Sequence, residues 1–227
     1  MSLSLPLAGE PSESSTVVLT RARAVRRGQL LTWLTIAYNS LEAVVALVAG
    51  VLAGSVALIG FGLDSVIEVS ASGGALWRLR HDADVEARER AERTALRIIG
   101  LSFVALACWV SYDAVRALLL RTPPESSPLG IVIASLSVVV MPLLARAKRR
   151  VAAQLSSCAL TAEARQTDIC MYLSVLLLAG LGLNAWLGWW WADPVSALTM
   201  VPLIAYEGRE ALAGRTLCAD CATAITG

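Results

Sequence analysis

Apolar residues run through this chain in six long blocks, at about 30–53, 55–77, 95–119, 128–146, 159–187 and 193–212. Each is close to the roughly 20 residues an α-helix needs to cross the hydrocarbon of a bilayer. The pattern predicts an all-α polytopic membrane protein with six transmembrane helices. The breaks between blocks are short. Ala53, Gly54 and Ser55 separate the first two, and a Pro-rich turn from Arg121 to Pro128 separates the third from the fourth. The segment Gly188 to Pro194, with Trp189, Trp190 and Trp191, separates the fifth from the sixth.

The polar positions between blocks differ in charge from one side to the other. Arg21, Arg23, Arg26 and Arg27 precede the first block. Arg78, Arg80, Arg88, Arg90, Arg93 and Arg97 surround the connection after the second, and Arg146, Lys148, Arg149 and Arg150 follow the fourth. The alternate connections hold almost no basic residue except Arg121. Cytoplasmic loops carry the excess of Arg and Lys, so both termini are expected in the cytoplasm. Trp189, Trp190 and Trp191 then fall at the outer interface, and Trp33 and Trp77 near the inner one. Residues 81–93 mix both signs and read as a solvated helical extension. Residues 1–27 read as a flexible cytoplasmic tail rich in Ser, Glu and Pro, without the basic-then-apolar order of a signal peptide. Residues 28–212 form the six-helix domain. Residues 213–227 read as a short cytoplasmic tail, too small for a soluble domain.

Composition narrows the class further. The chain is 56% hydrophobic with a mean hydropathy of +0.65, which excludes an ordinary soluble domain. Net charge is +1, and nothing points to a nucleic-acid partner. Lys148 is the single lysine among 19 basic residues; this Ala/Arg-rich, Lys-poor balance suggests a bacterial plasma membrane protein. The five cysteines are scattered and do not form a disulfide framework. No phosphate-binding loop precedes a Lys-Ser/Thr pair, so no nucleotide or other cofactor is expected. No block holds a histidine, which removes serine and metalloprotease chemistry. An aspartyl-type site would lack its expected surroundings, so the chain is not expected to be an enzyme.

The candidate chemistry lies inside the blocks. Asp64 and Glu68 are four residues apart in the second, which stacks them on one helical face. A carboxylate in hydrocarbon costs at least about 2.5 kcal/mol and is seldom kept without a use. Counting about 1.5 Å per residue from the basic ends places Asp64 about 20 Å deep and Glu68 about 14 Å. Glu42 and Asn39 of the first block fall at about 18 and 14 Å, and Asp168 of the fifth at about 14 Å. Convergence on one cation would offset the cost of burying several acids. Each of these acids keeps a second reading: Glu42 as a protonated hydrogen-bond donor to a neighbouring helix, Asp168 as the partner of Arg165, and Asp64 with Glu68 as a hydrogen-bonded packing pair. His81 reads as a surface histidine.

Several stretches resemble the cation diffusion facilitator (cation efflux) family of six-span metal/proton antiporters. Gly54-Ser55-Val56-Ala57-Leu58 followed by Asp64 and Glu68 is similar to its second span. Ala162-Glu163-Ala164-Arg165-Gln166-Thr167-Asp168 is similar to the start of its fifth, and Ala192-Asp193-Pro194 with Tyr206-Glu207-Gly208 to its sixth. The resemblance covers about 30–212. It implies that Asp64, Glu68 and Asp168 bind a divalent metal that is cargo and not a cofactor, zinc or manganese first among the choices. The family's other fifth-span ligand position is Ala164 here, so Glu42 is the preferred replacement, ahead of Asn39 and Glu163. The resemblance further implies exchange of cytoplasmic metal for external protons, and a homodimer. The chain looks like a short form lacking the family's C-terminal cytoplasmic domain. Cys218 and Cys221 form a lone Cys-x-x-Cys, half of a zinc site. The alternative is a membrane metal sensor or partner protein without transport.

Overall fold

In the computed structural model, residues 13–80, 85–155 and 158–213 are described. Their regular structure is six helices in chain order: α1 Glu13–Ala53, α2 Val56–Arg80, α3 Val85–Leu120, α4 Pro128–Leu155, α5 Cys158–Leu187 and α6 Ala192–Leu212. Five of them, α1 to α5, contain stretches long and apolar enough to cross a membrane. The expected sixth span does not meet that standard. α6 carries Asp193 at its start and Glu207, Arg209 and Glu210 near its end, leaving an uncharged stretch, 194–206, shorter than the about 20 residues required. It nonetheless packs with the bundle, chiefly against α3. The architecture is that of a polytopic helical membrane protein.

Two expectations at the helix ends change. α1 begins at Glu13, so residues 13–27, expected to belong to a flexible tail, are a helical continuation of the first span. At 41 residues α1 is about 60 Å long, twice the hydrocarbon thickness. α4 likewise runs on to Leu155, so Lys148 lies within a helix and not in a basic loop. The mixed-charge stretch is helical from Val85. His81 and the Cys218/Cys221 pair lie outside the described residues.

The helices pair as α1 with α2, α4 with α5, and α3 with α6; α1–α4 and α2–α5 contacts close a four-helix ring that the α3/α6 pair flanks. The three short connections lie together at one end of the bundle. Gly54 ends α1 in the left-handed region, φ +64°, where the N–H of Ser55 bonds back to Gly50 at 3.0 Å; glycine adopts this conformation at no steric cost. Ser55 caps α2 by accepting from Leu58 N–H at 3.1 Å. Asp193, from the start of α6, accepts from the Ser55 hydroxyl and from Ala57 N–H. The α3–α4 connection joins this end through Glu125 N–H to Ala53 O, 2.8 Å. It is joined in turn by the Asn184 amide, which donates to Pro124 O at 3.1 Å.

Along each helix of the ring, the inward stripe changes character part-way. Nearest the connections it is apolar or small: Ala46 and Ala49 on α1, Leu58 and Phe61 on α2, Ala134 on α4, Leu177 and Leu181 on α5. Beyond that, buried polar residues join it: Thr32, Thr35, Asn39 and Glu42 on α1; Asp64, Ser65, Glu68 and Ser72 on α2; Ser137 and Lys148 on α4; Glu163, Thr167 and Ser174 on α5. Spacings of three and four place each set on one helical face. The ring thus encloses a polar column, closed at the connection end by hydrocarbon side chains.

Candidate cation site

The column has two layers. In the layer farther from the connections, Glu163 of α5 gathers groups from the three other helices of the ring. Its Oε2 accepts from the Thr32 hydroxyl at 3.3 Å and its Oε1 from the Ser72 hydroxyl at 3.0 Å. The Lys148 ammonium also lies 3.0 Å from Oε1, with both side chains essentially inaccessible. Lys148 Nζ donates to the Thr167 hydroxyl at 2.9 Å, which in turn lies 2.7 Å from Glu68 Oε1 as donor. Glu68 Oε1 is 4.0 Å from Lys148 Nζ, beyond a hydrogen bond but within strong Coulomb range in a low dielectric.

The second layer lies nearer the apolar plug and is far less satisfied. Glu42 accepts from the Ser137 hydroxyl through Oε1, and Tyr38 and Ser137 share a 2.8 Å hydrogen bond. Its Oε2 makes no hydrogen bond, nor do Glu68 Oε2, both oxygens of Asp64, or either amide atom of Asn39. Among the described residues, the only other buried side-chain N or O atom in that condition is Gln166 Nε2. Asp64 feels the field of Glu68, Glu42 and Glu207. Unpartnered buried polar atoms are rare in folded proteins and costly in hydrocarbon. Here they are clustered on α1 and α2, and they are mostly acceptors, which suits a positive ligand.

Of the residues singled out from sequence, Asp64, Glu68, Glu42 and Asn39 therefore line this column. Asp168 does not. Its carboxylate is paired with Arg149 of α4 at a partly exposed position, and not with Arg165. Five residues separate it from Glu163, about 140° round the helix, so only one of the two can face the column; the structure turns Glu163 inward. Among the described residues no three His, Cys, Asp or Glu side chains converge closely enough to hold a metal. Lys148 stands between Glu68 and Glu163, and Asp64 is a turn away from Glu68.

Lys148 is the largest omission of the sequence reading, which counted it with its arginine neighbours. Two signals pointed to it. It is the chain's one lysine, and it continues the buried α4 stripe Gly130, Ala134, Ser137, Met141, Ala145 at spacings of three and four. Thr32, Ser72 and Ser137 were missed because isolated hydroxyl residues in apolar helices ordinarily bond their own backbone.

The fold and this site define a polytopic helical membrane protein with a charged intramembrane cluster. Residues 32–213 match the cation efflux transmembrane domain, and the chain belongs to that family. It is 30% identical over 151 residues to Transmembrane protein 163 of Xenopus laevis, a match covering 66% of this chain and 53% of that protein. It is 28% identical over 165 residues to an uncharacterized transporter of Synechocystis sp., covering 70% of this chain and 53% of that protein. The chain spans about half the length of these curated relatives.

Proposed function

We propose that this protein moves a divalent metal cation across the membrane, with Asp64, Glu68, Glu42 and Asn39 as its binding groups. The observation that carries the proposal is the set of orphaned oxygens on those four residues, fully buried and without hydrogen bonds. As described they stand too far apart to hold a metal, so a divalent cation would satisfy them together only once these side chains close on it. The oxygen donors suit manganese, and zinc also accepts carboxylates. Metal binding requires deprotonated carboxyl groups, so arrival of the cation releases protons, and their return supplies a proton/metal exchange. The arginine excess at the ends of α1, α2 and α4 supports cytoplasmic termini, and export from a bacterial plasma membrane is the direction proposed with that orientation. The family membership supports the transport reading, and a homodimer is the assembly expected with it.

The test is reconstitution of the chain into vesicles enclosing a pH-sensitive dye, followed by addition of zinc, manganese, cobalt, cadmium or iron(II). Metal-dependent proton movement that disappears in Asp64→Ala/Glu68→Ala is the expected result. Metal binding in wild type without any metal or proton flux would instead assign the protein as a membrane metal sensor or partner subunit.

A further inference from the structure

The geometry points to Lys148 as a tethered cation in the transport path: its ammonium, seated on Glu163 at 3.0 Å and 4.0 Å from Glu68, must draw away from Glu68 before a divalent cation can take up that carboxylate. This rests on the cation-site reading above and adds a residue from a helix which that reading does not use.

The side chain is fully buried and has three donors to place. Two are well seated, on Glu163 at 3.0 Å and on Thr167 at 2.9 Å. The nearest remaining acceptor of opposite charge is Glu68 Oε1 at 4.0 Å. That oxygen is already held by the Thr167 hydroxyl, while Glu68 Oε2 has no partner. Glu68 is therefore split: one oxygen belongs to the lysine network, the other to the orphaned group with Asp64. Glu163 belongs wholly to the lysine side, anchored by Thr32 and Ser72. A buried ion pair with only a structural role needs no third carboxylate drawn toward it. A divalent cation taken up on the free Oε2 of Glu68 would share that carboxylate with a like charge lying 4.0 Å from its other oxygen, in a medium that screens little. The two cations therefore exclude one another at Glu68. Lysine suits this part, being a compact charge on a flexible four-carbon stem, with an anchored carboxylate to retreat to. Lys148 is thus a positioning residue that weakens cation binding and sets the charge the site presents when no cation is bound.

The chain's single lysine makes the test direct. The full-length protein, labelled with ¹³C and ¹⁵N in lysine alone, gives one lysine side-chain signal. That signal is followed in micelles while zinc is added, and zinc and manganese binding are measured in parallel by calorimetry. The expected result is a lysine signal that moves along the zinc-binding isotherm, with Lys148→Gln binding the cation tighter by about tenfold or more. Should Lys148→Gln fail to fold, Lys148→Gln/Glu163→Gln removes both charges of the pair and is expected to bind more tightly than wild type in the same way. Zinc binding that leaves the signal in place, or variant affinity for zinc or manganese within about threefold of wild type, overturns the lysine's role. If Asp64→Asn still abolishes binding in that case, the cation site stands without it. A wild-type chain that binds neither metal overturns the site reading itself, and this inference with it.

Discussion

Replacing Glu163 by alanine removes the acceptor on which α1, α2 and α4 all converge at α5. The Lys148 ammonium loses its 3.0 Å partner and keeps only Thr167 at hydrogen-bond distance, with Glu68 at 4.0 Å. Breaking a buried ion pair by removing one member costs about 3–5 kcal/mol, because the other charge is left uncompensated. The Thr32 and Ser72 hydroxyls also lose their acceptor, but each can turn back to a carbonyl of its own helix, so their share is small. The expected cost of Glu163→Ala is therefore about 4 kcal/mol, nearly all of it from the ammonium. Glu163→Gln keeps an oxygen that can still accept from the ammonium as well as the hydroxyls, and is expected to cost about half as much. Equilibrium unfolding in mixed detergent micelles, followed by far-ultraviolet circular dichroism, measures both. Lys148→Met/Glu163→Leu removes the two charges together. It is expected to be more stable than either single change, with a coupling energy of about 2 kcal/mol or more. Additive effects, or a Glu163→Ala cost below about 1 kcal/mol, would refute the ion-pair layer as described.

Asp64→Asn replaces a buried carboxyl group whose oxygens have no partner by an amide of the same shape; it is expected to change metal-free stability by no more than about 1 kcal/mol while abolishing cation binding, read by the same unfolding assay and by calorimetry. Asp168→Asn loosens only a partly exposed pair with Arg149; stability should fall by about 0–1 kcal/mol and cation affinity should stay within about threefold of wild type. Ser55→Ala removes the α2 cap and its bond to Asp193; a loss of about 1–2 kcal/mol is expected, with cation affinity unchanged. A saturating divalent cation, at about 100 times its Kd, should stabilise wild type by about 2.7 kcal/mol and leave Asp64→Asn unaffected.

The family motifs turn out to have two different uses. Asp64 and Glu68, four residues apart on α2, meet the unpartnered groups of α1 in the interior. The Gly-Ser opening of α2 and the Ala-Asp-Pro start of α6 meet each other instead, Ser55 on Asp193, at the end where the connections cluster. One pair supplies charge to the interior; the other holds two hairpins together and caps a helix. Both were visible as motifs, and the linear string does not distinguish them, because Ser55 and Asp193 are 138 residues apart.

The helices themselves were set by local properties: apolar length, the glycine at position 54, the prolines and tryptophans of the connections. Hydrocarbon leaves a backbone little choice but to satisfy itself as helix, so block length alone nearly decides the element. The stacking of Asp64 over Glu68, and the shared depth of Glu42 and Asn39, likewise follow from helical rise and period. What the string left open was rotation about the helix axis where polar residues occur on more than one face. On α5, Glu163 and Asp168 are both acids, about 7.5 Å apart along the axis, and nothing local chooses between them. Packing of α5 against α4 chose: Arg149 faces Asp168 on the partly exposed side, and Lys148, one residue earlier and about 100° round its own helix, faces Glu163 in the interior. Neighbouring basic residues in the sequence thus serve opposite environments. Only the tertiary arrangement makes one of them a rim partner and the other a buried cation, because burial is a property of a face and the sequence alone names the residue without saying which way it points.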